Sequence, residues 1–222
     1  MKSARPKIVD FRQAQEDLRA TLREGMLEAA TRLLTEEGPA ALTVRRVADA
    51  VNCSTTLLYS LFGGKDGLAN ELYLEGFARL KAAFESFPTA QPSRKKVMYT
   101  GLARLKFYAR IYHDYARRNP SYYMVMFGDA IAGFVPPVES RQKAWESFAV
   151  LIEAFDECMQ NGTLPSSNPT AAARLLWAAM HGVISLELKG FYLKSERAGE
   201  LYEAAVNAVL QSLQGGALPT GK

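Results

Sequence analysis

The residues best suited to chemistry in this chain lie between Thr43 and Lys65. Thr43, Ser54, Thr55, Thr56, Tyr59 and Ser60 carry hydroxyls there, and Arg45 and Lys65 carry positive charge. Such groups make hydrogen bonds to phosphate oxygens and base edges. Nucleophilic catalysis would need a base placed to activate one of the hydroxyls, and the chain offers no such pairing. For these side chains to act together, two short helices joined by a tight turn must hold them. Thr43 is expected to cap the first helix, with Val44, Val47, Ala48 and Val51 at i, i+3, i+4 and i+7 facing inward. Asn52 tolerates the left-handed turn that follows. Ser54 is expected to cap the second helix, turning Leu58, Leu61 and Phe62 inward and Thr55, Thr56, Tyr59 and Ser60 outward. Leu57 can either meet a thymine methyl or pack inward.

A second set of residues is aromatic and thioether in character. Phe107, Tyr108, Tyr112, Tyr123, Met124, Phe127, Trp145, Phe148, Phe155, Trp177 and Met180 are more than one helical bundle of this size usually needs. Individually each could be core; as a set they point to a ligand cavity. His181 belongs with them, either as a satisfied core histidine or as a ligand contact. Neither His181 nor His113 has partners at metal-ligand spacing, so no metal and no cofactor are expected.

Composition bounds the rest. The 222 residues are 48% hydrophobic, enough for one large or two modest domains. Cys53 and Cys158 are the two cysteines and lie far apart, which fits a reducing cytoplasm. No apolar run approaches the roughly 18 residues of a membrane-spanning helix, and the charged start lacks a signal core. Net charge is +4, which permits nucleic-acid binding. Through Phe87, however, twelve basic residues balance twelve acidic ones, and the largest basic excess lies from Arg94 to Arg118. That basic run is expected to be a solvated face first, with a site for an anionic effector as the second reading.

Periodicity predicts an all-α chain of about nine helices. A loose basic arm to about residue 12 precedes a helix from about Gln13 to Glu37, stopped by Gly38-Pro39. The two short helices follow. After Gly63-Gly64 a long helix runs from Lys65 to about Phe87, with Leu68, Leu72, Phe77, Leu80 and Phe84 inward. Pro88 to Pro92 reads as a linker, dividing the chain into 1–87 and 88–222. Helices are then expected over Ser93–Asn119, Ser121 to about Gly128, Val138–Asn161, Pro169 to about Phe191 and Ser195 to about Gln214, with a frayed tail beyond.

Residues from about Leu22 to Tyr73 resemble the DNA-binding domain of the tetracycline-repressor (TetR) family of transcriptional regulators. The helix ending in Glu37-Gly38, then Leu42-Thr43-Val44, Val47-Ala48 with Val51, Ser54, Leu58-Tyr59, Phe62 and Lys65 carry the likeness. It implies a three-helix helix-turn-helix domain in which Thr43, Tyr59 and Lys65 touch phosphates and the start of the Ser54–Phe62 helix reads bases. Asn52 stands where the family usually has glycine, Leu61 where it has an aromatic or histidine, and Leu57 where a small polar residue is common. Trp177, His181 and Gly182, with Asn119-Pro120-Ser121-Tyr122-Tyr123 and Met126-Phe127 upstream, resemble the subgroup with a WHG-type ligand-binding domain.

One short reading helix covers few base pairs, so a homodimer on a palindromic operator is expected. Leu175, Leu176, Ala179, Val183 and Leu186 offer one face for it, and Leu201, Ala205, Ala208, Val209 and Leu213 another. An intramolecular bundle would bury the same residues. The expected mechanism has a small apolar or aromatic effector entering the C-terminal bundle, moving the connecting helix and releasing double-stranded DNA. Corepression is the reverse alternative. A helical interaction module without sequence-specific DNA binding is a third reading, and an enzyme the least supported one.

Overall fold

The computed structural model describes residues 10–86, 101–128, 130–192 and 195–216. Among them it contains ten α-helices and one 3-10 turn, and no strand. α1 (Phe11–Glu37) is capped by Asp10, whose carboxylate accepts from the Arg12 and Gln13 amides. It ends at Gly38, at φ 83°, and Pro39 opens a 3-10 turn to Ala41. Met26, Ala30, Leu33 and Leu34 are its buried stripe. α2 (Val44–Ala50) and α3 (Thr55–Phe62) form the two-helix unit. α4 (Lys65–Glu85) is the long connecting helix.

The second half contains α5 (Gly101–Arg118), α6 (Pro120–Phe127), α7 (Val138–Glu146), α8 (Ala149–Gln160), α9 (Pro169–Leu188) and α10 (Ser195–Gln214). Here the structure corrects the expected pattern: residues 138–161 form two helices. At the break, Ser147 donates its hydroxyl to the Ala144 carbonyl at 2.7 Å, and the Ser147 and Phe148 amides bond only three residues back. A buried serine thus takes part of the carbonyl that the helix ladder would use. α9 stops three residues earlier than about Phe191, with Gly190 at φ 74° and Phe191 69% exposed. The Pro88–Pro92 linker, the start of the Ser93 helix, Arg94-Lys95-Lys96, most of the N-terminal arm and the end of the tail lie outside the described residues.

Two cores hold these helices. The first joins Met26, Leu34, Leu42, Val47, Leu58, Leu68 and Leu72, and also takes in Tyr122 and Val125 of α6 and Ala144 of α7. The second joins Leu105, Tyr112, Leu151, Phe155, Leu176, Met180 and Ile184. Each fully buried side chain of this size contributes about 1.5–3 kcal/mol. Phe77 of α4 packs against both cores. Close approach of α4 and α6 depends on Gly76: a Cβ there would lie 2.7 Å from the Met126 sulfur, and the Tyr115 hydroxyl donates to the Gly76 carbonyl at 2.8 Å. The cores therefore share α4.

Candidate nucleic-acid interface and ligand cavity

Local capping builds the polar surface. Thr43 Oγ1 accepts from the Arg46 amide at 3.3 Å, and Ser54 Oγ accepts from the Leu57 amide at 3.2 Å. Each satisfies one orphan donor of a short helix, worth about 1 kcal/mol. Asn52 takes φ 53°, the left-handed turn expected between α2 and α3. With Leu58, Leu61 and Phe62 buried beneath it, α3 presents Thr55, Thr56, Tyr59 and Ser60 to solvent. Ser60 turns its hydroxyl proton to the Leu57 carbonyl at 2.9 Å. Leu57 is half-buried and packs on the first core.

Charge on this face is sorted by pairing. Arg46 is bound to Glu37 at 2.6 Å, whereas Arg45 is exposed with no ion pair among the described residues. From α1, Arg23 donates to the Leu61 carbonyl at 2.5 Å and pairs with Glu71, and Arg19 reaches the Ser60 carbonyl at 3.3 Å. These cations sit at the C-terminal end of α3, where the helix dipole favours them, so they brace α3 rather than its outer face. Gly63, left-handed at φ 74°, ends α3, and Gly64 at φ 116° admits the Tyr59 ring. A Cβ on Gly64 would come within 2.9 Å of that ring. Tyr59 thereby lies over the turn leading into Lys65, the first residue of α4.

The aromatic set separates into a wall and a layer behind it. A cavity of about 250 Å³ is lined by Tyr112, Phe127, Trp145, Phe148 and Trp177 from that set. Tyr73, Phe77, Leu80 and Phe84 of α4, Met126, Arg141, Ala144, Ser147 and Leu151 complete the lining. Phe107, Tyr108, Tyr123, Met124, Met180 and His181 do not line it. Met180 and Phe155 are fully buried in the second core, Met124 is 43% exposed, and Tyr108 stacks edge-on against Phe84. Phe107 faces a broader open groove of about 790 Å³ between α5 and α10, whose walls mix Lys106, Arg110 and Arg117 with Asp114 and Glu203. The α4 residues carried a helix-core pattern in the sequence; that the same face also walls a cavity depends on how α4 crosses α6 and α7.

Behind the wall runs a chain of hydrogen bonds. The Trp177 indole N–H donates to the Tyr112 hydroxyl at 3.1 Å, the Tyr112 and Tyr123 hydroxyls lie 3.1 Å apart, and Tyr123 lies 2.6 Å from His181 Nδ1. The indole can only donate. Tyr112 accepts from it, and its own buried proton is satisfied by donation to Tyr123, which then donates to His181. This requires a neutral His181, and burial lowers its pKa, helped by the Lys189 charge. Burial pushes both tyrosine hydroxyls well above their ordinary range. On α6 the neighbouring Tyr122 faces the other way, its hydroxyl 2.6 Å from that of Thr31 on α1. One short helix thus bonds the cavity layer on one side and the first helix on the other.

The basic run on α5 is only partly a solvated face. Arg104 bonds the Tyr108 hydroxyl at 2.8 Å and Glu157 at 3.0 Å, and Arg117 reaches Glu187 at 3.5 Å. His113 lies 3.0 Å from Glu187 and stacks on Tyr202 with centroids 4.3 Å apart. Among the described residues no group of His, Cys, Asp and Glu could hold a metal ion, and no helix is long and apolar enough to cross a membrane.

Comparison with known proteins gives this arrangement its class. Residues 26–72 match the model of bacterial regulatory proteins of the tetR family, and residues 105–209 match the tetracyclin repressor-like C-terminal domain. The chain belongs to the TetR family and is a ligand-responsive DNA-binding regulator, with dimerisation and effector binding typical of its relatives. The C-terminal match spans every residue from Asn119 to Gly182 on which the second resemblance rests. A Rhodococcus sp. RHA1 protein of unknown function superimposes with a TM-score of 0.71 at 22% identity, over 87% of this chain and 95% of that one. The TetR family transcriptional regulator PfmR from Thermus thermophilus gives 0.59 at 23% identity, over 84% and 97%. The fatty acid degradation regulator FadR from Bacillus halodurans gives 0.59 at 18% identity, over 87% and 95%. No curated protein sequence matches the chain.

Proposed function

We propose that this protein is a cytoplasmic, non-enzymatic homodimeric repressor that leaves a palindromic operator when a small effector fills the cavity beside α4. Residues through about 87 form the reading unit, and those beyond form the effector and dimer unit. One observation carries the reading: α4 begins at Lys65, beneath Tyr59, and from Tyr73 to its far end it supplies Tyr73, Phe77, Leu80 and Phe84 to the cavity wall. A ligand that favours one setting of that wall biases the setting of α3. Thr55, Thr56 and part of Leu57 read bases, while Thr43, Arg45, Tyr59 and Lys65 meet phosphates.

Dimerisation falls to the outer faces of α9 and α10. Leu176 and Leu213 are buried within the chain, but Leu175, Leu186 and Leu201 are 40–47% exposed. Apolar side chains left outward on two adjacent helices suit an isologous four-helix contact. A gel-shift titration with DNA flanking the protein's own gene tests the proposal. Binding should be sequence-preferring, fall steeply with salt, and weaken when a cavity ligand is added. Salt-insensitive binding without sequence preference would leave only a helical interaction module. Binding strengthened by ligand would make it corepressor-dependent.

A further inference from the structure

The cavity wall is apolar except at one side. The Ser147 hydroxyl is committed to the Ala144 carbonyl, and the polar atoms of Tyr112 and Trp177 are committed to each other. Two lining groups remain. Arg141 of α7 has no side-chain hydrogen bond or ion pair among the described residues, and the Tyr73 hydroxyl of α4 has no hydrogen-bond partner among them. Both line the same cavity, and the Arg141 charge acts on the Tyr73 hydroxyl: burial raises its pKa, and Arg141 draws it back down. Arg141 is exposed while lining the cavity, so it stands at the mouth, with Phe77, Phe127, Phe148 and Trp177 deeper in.

A guanidinium offers two parallel N–H donors that match a carboxylate, and a phenol adds a third donor. A phosphate ester would bring more charge than one arginine offsets beside an apolar wall. The volume of about 250 Å³ is just below the roughly 300–1,000 Å³ typical of ligand sites, room for one ring or a short chain. We propose that the effector is a small organic acid, its carboxylate held between Arg141 and the Tyr73 hydroxyl and its apolar body among Phe77, Phe127, Phe148 and Trp177. This rests on the cavity being the effector site. It adds a direct tie: the carboxylate bridges α7 to α4, the helix that begins beneath the reading surface.

The protein carries its own reporter, because the chain has two tryptophans and both line the cavity. Tryptophan emission of the full chain is titrated with 3-phenylpropanoate, 4-phenylbutanoate and octanoate, and with the neutral amides of the same three. At least one acid should bind about tenfold more tightly than its amide, the scale of one charge-assisted contact. Arg141→Gln should abolish most of that preference by weakening the acid alone; Tyr73→Phe should reduce it about threefold, the difference one hydrogen bond makes between a charged and a neutral acceptor. Arg141 is exposed and unpaired, so its replacement leaves folding intact. Equal binding of acid and amide, or a preference undiminished by Arg141→Gln, overturns the acid and leaves the cavity standing. Silence from both sets overturns the acid and the cavity reading together.

Discussion

Tyr59 on α3 is 57% exposed, and its hydroxyl has no partner among the described residues. Tyr112 on α5 is buried and bonded on both sides, to Trp177 and to Tyr123. The same side chain is left available on one surface and fully used in the other region. An exposed hydroxyl is satisfied by water at no cost, so it remains free for a partner. A buried one must be satisfied within the chain, and then it fixes shape. Substitutions on the reading surface should therefore change binding with little effect on folding. Those around the cavity should change stability first.

The largest effect is expected where the two regions are joined. A Cβ on Gly67 would fall 1.6 Å from the Phe62 carbonyl oxygen, a backbone atom that cannot rotate away. Gly67→Ala must push α4 off the end of α3. Overpacking of this kind costs about 3 kcal/mol, and it should lower the urea midpoint and abolish DNA binding together. A variant of wild-type stability would show that the α3–α4 junction is compliant, and the coupling through α4 would lose its rigid link.

Next comes Tyr112→Phe, which removes one oxygen, strands the Trp177 N–H and leaves the Tyr123 hydroxyl only its bond to His181. The expected loss is about 2 kcal/mol, read by chemical unfolding. DNA affinity measured well below the transition should be unchanged. If stability is unaffected and DNA binding falls, the contrast between the regions is reversed.

How much of this was legible beforehand follows the same division. Thr43, Asn52 and Ser54 act on backbone within three residues of themselves, so their roles in α2 and α3 could be read from spacing. The aromatic surplus could be read too, but not its assignment. Whether Phe77 or Phe107 faces the cavity depends on how α4 crosses its neighbours, and the Gly76 contact that sets this crossing joins residues fifty apart. The break at Ser147 was hidden because a buried serine bonding its own helix looks, in sequence, like any helical serine.

On the reading surface, Lys65→Glu separates binding from folding. Lys65 opens α4, and an acidic residue in a first helical turn is favoured by the helix dipole. Thermal stability should hold or rise slightly. DNA affinity should fall about tenfold for every sequence, and the salt slope should drop by about one. Thr56→Ala should instead change which sequences are preferred. If Lys65→Glu alters preference rather than overall affinity, Lys65 touches bases, and the division between phosphate and base contacts must be redrawn.

The smallest effect tests the direction of the buried chain. The folded-state pKa of His181 lies below its ordinary 6.5, through burial and the Lys189 charge. Above 6.5 neither folded nor unfolded chain protonates this ring, and it adds no pH dependence. Below it the unfolded chain takes up a proton that the folded chain resists, so stability falls as pH falls. Protonation would also make Nδ1 a donor to Tyr123. Tyr123 would then turn its proton on Tyr112, which already accepts from Trp177, leaving the buried Tyr112 proton without an acceptor. His181→Gln keeps an acceptor for Tyr123 but cannot titrate. Urea unfolding at pH 7.5 and 5.5 should show a smaller loss for this variant than for the wild type. Identical losses would mean that the folded chain does not hold His181 neutral, and the chain of donors running from Trp177 to its ring would lose that support.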